Sequence, residues 1–414
     1  MKISETLASG ECWNDFWVYR TVMRHLGSPE KKQLEDFISE KRYLPMAEAL
    51  AEGRLVLHSP RRSEISKHSG AKKRVVYLYE GDELIFLKML AYSLSVKYDS
   101  LFGSNCYAFR RNLGAGDAVR RLVKDPQIRS MYCLKTDLHD YFNSIPVMEM
   151  LGKLSFLKDE DGDIYTLLKQ MLLQGGGCGD DLPGGRGVMA GTPTSSFLAN
   201  LYLADLDSYF EQKDIKYFRY SDDILIFAND RDELEELEKI LCERVEKAGL
   251  SFNPAKRQLA LPGDELEFLG FSFKDGQVGL SKHTVQKIKG KIRRKARALG
   301  RWADRKGLSG EKAAKGFIKV MNLKFFDDEE KGDFSWSRWF FPYLSSGDDL
   351  KEIDEYMQKY ARFCVTGRHY KGNYRVTYEM LKEWGYRSLV AEYYSRNPEK
   401  NNKTNKLEEK YYDI

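Results

Sequence analysis

Two adjacent aspartates, Asp222 and Asp223, lie between the β-rich runs KYFRY and ILIFA, a pattern that predicts strand, tight turn, strand. A third, Asp137, ends another β-rich run, MYCLKTDL, 85 positions earlier. Residues that far apart in the chain meet only if their strands are neighbours in one sheet. Carboxylates gathered at one sheet edge, with cations nearby, suit hard divalent ions. Mg²⁺ takes one or two carboxylates and leaves its other positions to water and phosphate oxygens. Two such ions can activate an attacking hydroxyl and stabilise a leaving pyrophosphate. An isolated Asp-Asp pair has a plainer explanation, because Asp is a favoured turn residue. The surrounding elements must decide between the two.

Those elements read as an α+β layer, an antiparallel sheet with helices on one face. Residues 1 to about 60 read as helical. A basic stretch follows (Arg61, Arg62, Lys67, Lys72, Lys73, Arg74) and leads into VVYLY, which predicts a hairpin with basic arms. Residues 83–97 and 163–173 read as helices, and 175–187 as a glycine-rich loop. A helix is expected from Thr194, capped by Thr194 or Ser195, with Phe197, Leu198, Leu201, Tyr202 and Tyr209 on one side. Another is expected to open at Asp232, with Leu234, Leu237, Leu241, Val245 and Ala248 at helical spacing and Gly249 as its stop. LSFN and LEFLGFSF read as β elements, the chain beyond 280 as mainly helical, and 396–410 as a frayed tail.

Composition narrows the class. In 414 residues, 42% are hydrophobic and 13% aromatic, enough for a packed core, so a disordered chain is excluded. No apolar run approaches the roughly eighteen residues that span a bilayer. Met1 to Glu5 has no apolar signal region, so a cytoplasmic protein without a membrane partner is expected. The six cysteines include no C-x-x-C pair and read as reduced thiols. The net charge is only +5, but Lys282 to Lys306 holds eleven Lys/Arg against one acid, Asp304, which points to a polyanion partner.

Five segments together carry a family resemblance. FRYSDDILIF resembles the catalytic hairpin of reverse transcriptases, and DLHDYFNSIP their first catalytic motif. GVMAGTPTSSFLANLYL resembles their template- and nucleotide-contacting loop and helix. GLSFNPAK and LEFLGF resemble their lysine and primer-grip motifs, all in the family's order over roughly residues 65–273. The resemblance implies a right-hand polymerase architecture: an N-terminal helical region (1–60), fingers (61–130), a palm (131–275) with a fingers-like insertion at about 150–186, a helical thumb with a C-terminal helical extension (276–395), and a flexible tail (396–414). It implies an RNA-directed DNA polymerase that uses two Mg²⁺ ions, or Mn²⁺, and takes dNTPs, an RNA template and a cDNA product duplex.

Residue roles follow from the same resemblance. Asp137 and Asp222 would ligate both metals, with Asp223 completing the cluster and the Leu138 carbonyl a further ligand. Lys256 would protonate pyrophosphate, or is a solvated loop lysine. Phe142 would be the gate that excludes a ribose 2′-hydroxyl, or is core. Tyr220 would lie near the primer end, and Ala190 and Gly191 in the template and nucleotide loop. Lys67 and Arg74 would clamp the triphosphate, with Lys72 and Lys73 as competitors, and Arg110 of CYAFRRNLGAGDAV would touch nucleic acid. Gly270, Phe268 and Phe271 match the primer grip, though core packing explains the rings equally well. The chain departs from the family at Ala190, at Ser196 after Ser195, and at Ser221 in the catalytic turn.

RFCVTGRHYKGNYRVTYEMLKEWGYRSLV resembles the extension of defence-associated bacterial reverse transcriptases, which implies a structured non-coding RNA as template and protection against phage. Tyr411 and Tyr412 offer a hydroxyl for protein priming, with RNA self-priming favoured. An RNA-dependent RNA polymerase, another palm-type nucleotidyltransferase and a non-catalytic RNA-binding scaffold stay open.

Overall fold

The computed structural model describes residues 1–23, 26–66, 73–175, 185–326 and 335–400. It divides into two compact units, Met1–Pro262 and Gly263–Ile414.

In the first unit, the helices Ile3–Ala8, Gly10–Val18, Ser28–Ser39 and Tyr43–Ala51 close around Trp13. Its ring lies 5.2 Å from Phe37 and 5.1 Å from Tyr43, and its buried N–H donates to the Leu7 carbonyl at 2.8 Å. The basic arms pair as expected: β1 (Arg61–Ser66) and β2 (Lys73–Leu78) form an antiparallel hairpin. The helix Gly81–Lys97 follows.

The central sheet holds β3 (Tyr132–Asp137), β4 (Tyr217–Tyr220), β5 (Asp223–Ala228) and β6 (Gln258–Ala260), all antiparallel in the order β4-β5-β3-β6. Strand alternation divides the residues between two faces. Leu134, Leu138, Ile224, Ile226 and Ala228 join the main hydrophobic core. Asp137 and Asp223, opposite in register, share the other face. The helix Arg231–Lys247 contributes Leu234, Leu237, Leu241 and Val245 to that core, a run at helical spacing.

Several boundaries differ from the sequence reading, each for a local reason. The helix expected at Asp232 opens at Arg231, because the Asp230 carboxylate caps it by accepting from the Glu233 N–H at 2.8 Å. The helix expected from Thr194 is two, Ser195–Tyr202 and Ala204–Gln212, broken at Leu203. Neither Thr194 nor Ser195 caps it, and the Ser195 hydroxyl donates to the Thr192 carbonyl. LSFN makes a single bridge, Leu138 to Phe252, and β6 follows unforeseen. LEFLGFSF is a hairpin of β7 (Leu266–Phe268) and β8 (Phe271–Lys274), and β9 (Gln277–Leu280) completes a second sheet. Leu269 and Gly270 both have positive φ, as a type I′ two-residue turn requires. This sheet folds within the second unit, where Phe271 packs 5.0 Å from Phe340, although the sequence places residues to 275 with the palm.

The second unit is otherwise helical: Lys282–Arg305, Gly310–Phe325, Asp348–Thr366 and Leu389–Arg396 are its longest helices among the described residues. Val285, Ile288, Ile292 and Ala296 of the basic helix are buried, whereas Arg293, Arg294 and Arg297 are exposed. Among the described residues, no helix is long and apolar enough to cross a membrane. Cys12, Cys106, Cys133, Cys242 and Cys364 are free thiols; Cys178 lies outside the described residues.

One fully buried ion pair ties the sheet to its helices. Arg219 of β4 and Asp207 of the helix Ala204–Gln212 have no exposed side-chain surface. Arg219 Nε donates to Asp207 Oδ1 at 2.7 Å, and the Tyr217 hydroxyl donates to the same oxygen at 3.1 Å. Asp207→Ala is expected to lower stability by about 3–5 kcal/mol, because it strands a buried guanidinium. The urea denaturation midpoint measures this, and adding Arg219→Met is expected to restore part of the loss; an unchanged midpoint for Asp207→Ala alone would overturn the assignment.

Candidate active site

Register builds the acidic centre. Asp137 pairs with Asp223 across β3 and β5, and Tyr220 pairs with Asp223 across β4 and β5. The expected turn is therefore only Ser221 and Asp222, and Asp223 is the first residue of its strand. Ser221 has φ of 61° and Asp222 does not share the positive sign, the pattern of a type II′ hairpin turn. Serine in that region costs on the order of 1 kcal/mol. Two contacts hold it: Arg219 Nη1 donates to the Ser221 carbonyl at 3.2 Å, and the Leu138 N–H donates to the Asp222 carbonyl at 3.1 Å. An extended residue projects its N–H and C=O to the same side, so the Leu138 carbonyl also faces the Asp222 turn.

The charges oppose one another. Burial, and then the charge of Asp137, holds Asp222 above the ordinary carboxylate range. Burial, and then Asp222, pushes Asp223 up to about 6, against the pull of Lys135. Lys135 sits two residues before Asp137, on the same strand face. Lys256 ends the short turn Pro254–Lys256, which Asn253 starts by donating its N–H to the Asp137 carbonyl at 2.8 Å. Lys256 Nζ donates to Asp137 Oδ2 at 2.5 Å; the lysine is 54% exposed and the aspartate 7%.

Among the described residues, no three His, Cys, Asp or Glu side chains converge as a ready-made metal nest. Asp137 is turned onto Lys256 instead. Mg²⁺ does not need such a nest, because one or two carboxylates and substrate phosphates hold it. The residues fit a divalent ion in another respect: the hairpin concentrates negative charge that burial leaves poorly compensated, and Asp137 already draws a cation to itself.

Around this centre the predicted residues divide. Phe142 is 8% exposed and belongs to the core, with its ring edge-on to Phe109 at 6.1 Å. Phe109 in turn lies 6.3 Å from Tyr220. Phe109, Tyr220 and Gly191 line a cavity of about 590 Å³, which Tyr19, Arg20, Lys88 and Arg111 line as well. Gly191 has φ of 102°, and a Cβ there would meet the Tyr77 carbonyl at 3.0 Å, so glycine lets the loop approach β2 closely. Ala190 is 2% exposed, and its carbonyl accepts from the Tyr77 N–H at 2.8 Å. It stands behind the cavity as a strut between loop and hairpin. Lys67 and Lys72 lie outside the described residues, as do the side chains of Lys73 and Arg74.

Arg110 lines the same cavity, with its guanidinium held from behind. Its guanidinium is held by Asp99 at 2.7 Å and by the Gly103 carbonyl at 2.8 Å, and braces the loop between them. Phe268 and Phe271 are buried in the second unit, where the Gly270 carbonyl accepts from the Thr284 hydroxyl at 2.9 Å. The exposed ring in that part of the first unit is Phe109, the residue before Arg110, which the motifs do not single out. Its φ of 57° is set by neighbours: the Asn200 side chain donates to the Ala108 carbonyl, and the Tyr107 N–H donates to the Arg219 carbonyl. Aromatic residues in loops are common, and nothing in the sequence marks a positive φ.

The family model described as reverse transcriptase (RNA-dependent DNA polymerase) matches residues 65–273, half of the chain. Among solved structures, the chain is similar to telomerase from Candida albicans in complex with a TWJ fragment of telomeric RNA, with a TM-score of 0.43 at 13% identity, covering 84% of this chain and 66% of that one. It is also similar to apo telomerase from Candida tropicalis truncated from its C-terminal domain, with a TM-score of 0.40 at 14% identity, covering 59% of this chain and 60% of that one. The chain thus spans less than two thirds of these telomerase chains. No curated protein matches the sequence.

An aspartate whose folded pKa is raised costs stability once it ionises. For Asp223 the cost is absent below its ordinary value of 3.8 and fully present above about 6. In metal-free protein, Asp223→Asn is therefore expected to raise the melting temperature by a few degrees at neutral pH, with a gain that fades as pH falls toward about 4. Thermal melts across that window test it, and a gain independent of pH would contradict the charge repulsion.

Proposed function

Because the chain belongs to the reverse transcriptase family, we propose that it is an RNA-directed DNA polymerase in which Asp137, Asp222, Asp223 and the Leu138 carbonyl hold two Mg²⁺ ions at the β3–β5 edge. The observation that carries this reading is the register that sets Asp137 against Asp223 with Asp222 in the adjoining turn. The ions supply charge that lowers the pKa of a primer 3′-hydroxyl and stabilises the leaving pyrophosphate. Mn²⁺ meets the same oxygen ligands.

The chain's own residues do the rest. In the reaction, the primer 3′-oxygen bonds to the α-phosphorus, the bond to pyrophosphate breaks, and the 3′-hydroxyl's proton passes to solvent water. Lys256, whose ammonium pairs with Asp137 here, would donate a proton to the departing pyrophosphate. Phe142, reinforced by Phe109, limits space at the sugar and admits dNTPs over rNTPs. Tyr220 lies beside the primer end. Gly191, with Ala190 bracing it, shapes the template and nucleotide loop, and Lys67 and Arg74 meet the triphosphate. Tyr19 and Tyr92 line the same cavity with Arg111 5.6 Å from each ring and with Arg20 and Lys88, a mix of rings and cations that suits a single-stranded template.

The assignment of residues 61–130 to fingers, 131–275 to palm with an insertion at about 150–186, and 276–395 to thumb and extension belongs to the same proposal. So does the biology: a structured non-coding RNA is copied into cDNA in defence against phage, in the cytoplasm. The stretch from Arg362 to Val390 supports that part by its resemblance.

Asp222→Asn with Asp223→Asn is expected to abolish dNTP incorporation on a primed RNA template, with RNA binding retained, because an amide cannot replace carboxylate charge at Mg²⁺. Retained synthesis in a primer-extension assay would sink the proposed site. Phe142→Ala is expected to raise rNTP incorporation relative to dNTP at least tenfold, roughly what a lost steric contact in a tight pocket permits. An unchanged ratio in a folded variant would return Phe142 to a purely core role.

A further inference from the structure

The second unit carries a cavity of about 680 Å³ built wholly from residues beyond the matched family segment. The helix Asp348–Thr366 and the helical turn Lys371–Arg375 form its wall, with Lys289 of the basic helix also lining it. Tyr356, Tyr370 and Tyr374 line it too, and two of these rings are strongly exposed, Tyr374 at 73% and Tyr370 at 46%. Each ring has a cation over it: Lys289 at 5.2 Å from Tyr356, Arg368 at 4.9 Å from Tyr370, and Arg362 at 5.5 Å from Tyr374. Lys359 and Lys371 add positive charge, against two acids in the lining, Glu355 and Glu352, the latter paired with Lys289.

The frame behind the rings is fixed. Gly367, at φ of 70°, ends the long helix. The buried Asn373 donates from Nδ2 to the Arg368 carbonyl at 2.8 Å and accepts from the Thr366 hydroxyl at 2.7 Å. Arg362 Nε donates to the Val376 carbonyl at 2.8 Å. The His369 ring lies 4.7 Å from Phe363 at 31° and edge-on to Tyr360. A turn tied down this firmly presents Tyr370 and Tyr374 from a backbone already ordered before binding.

Exposed aromatic faces beside fixed cations call for a ligand that carries a flat π-system next to a phosphate. An unpaired nucleotide has both: its base stacks on a ring and its phosphate meets the cation. A duplex hides its base faces and offers phosphates alone. We propose that this cavity binds unpaired nucleotides of single-stranded RNA, a docking site for the template made of residues other than the catalytic ones. The proposal rests on the reading of the chain as an RNA-copying enzyme.

The test uses the full chain and a fluorescent, unstructured single-stranded RNA of roughly ten nucleotides. Tyr370→Ala/Tyr374→Ala is expected to weaken binding at least about tenfold, the loss that one or two base stacks predict, while Tyr370→Phe/Tyr374→Phe binds like the parent. Binding of a blunt RNA duplex is expected to be the same in all three proteins, and adenosine monophosphate is not expected to displace the strand. Photocrosslinking with 4-thiouridine RNA is expected to mark Tyr370 or Tyr374. Unchanged strand binding by a folded alanine variant, an equal loss for the duplex, displacement by the mononucleotide, or crosslinks confined to other segments would each overturn the proposal. Primer extension on a short primed template separates the two readings. Both tyrosine variants are expected to keep it, and its absence in the parent protein would remove the polymerase reading while leaving the binding result intact.

Discussion

The acidic hairpin depends on a charge that is nowhere near solvent. Arg219 lies two residues before Ser221 and is fully buried, as is its partner Asp207. Burying two ions is costly, and it is tolerated only when every donor and acceptor is used. Here the guanidinium also reaches the Asn200 side-chain oxygen, the Cys106 sulfur and the Ser221 carbonyl. The last of these contacts matters most, because it fixes the turn that carries Asp222. The backbone of Arg219 also accepts from the Tyr107 N–H and donates to the Asn105 carbonyl, which lays residues 105–107 along β4. The same residue therefore sets the carboxylate turn, the helix Ala204–Gln212 and the loop that presents Phe109.

That anchoring is needed because the acidic end of the sheet works against folding. Burial, and then the repulsion of Asp222, raises Asp223, so its ionised form costs stability. Lys135 and Lys256 offset part of it. The opposite face compensates by being fully apolar, from Leu134 and Leu138 to Ile224, Ile226 and Ala228. A sheet packed this well can carry an unfavourable acidic end.

Much of this was legible in the sequence where residue type and period agree. The hairpin around Asp222, the strand ending at Asp137, the helix from 231 to 247 and the basic helix from 282 each show a strong local pattern. The pairing of Lys256 with Asp137 was legible only through a family motif, since the two residues are 119 positions apart. What was missed depends on tertiary contacts. The split at Leu203, the short β6 and the division of LEFLGFSF into a hairpin are decided by what packs against them. Arg110 is a further case: nothing in its motif foretells that Asp99 holds its guanidinium.

Backbone strain explains why the motif does not give the arrangement of the residues it names. Eight described non-glycine residues have positive φ, and Phe109, Asp140, Met189 and Ser221 among them lie in the segments that build the site. Such conformations persist only where neighbours over-determine them. Each has its clamp: Asn200 on the Ala108 carbonyl, the Ser144 hydroxyl on the Asp140 carbonyl, the Thr192 N–H on the Met189 carbonyl, and Arg219 on the Ser221 carbonyl. The clamps come from residues that carry no chemistry themselves. A substitution at Asn200 or Arg219 therefore acts on the site through geometry, by letting a strained turn relax and carry Phe109 or Asp222 out of register with Asp137.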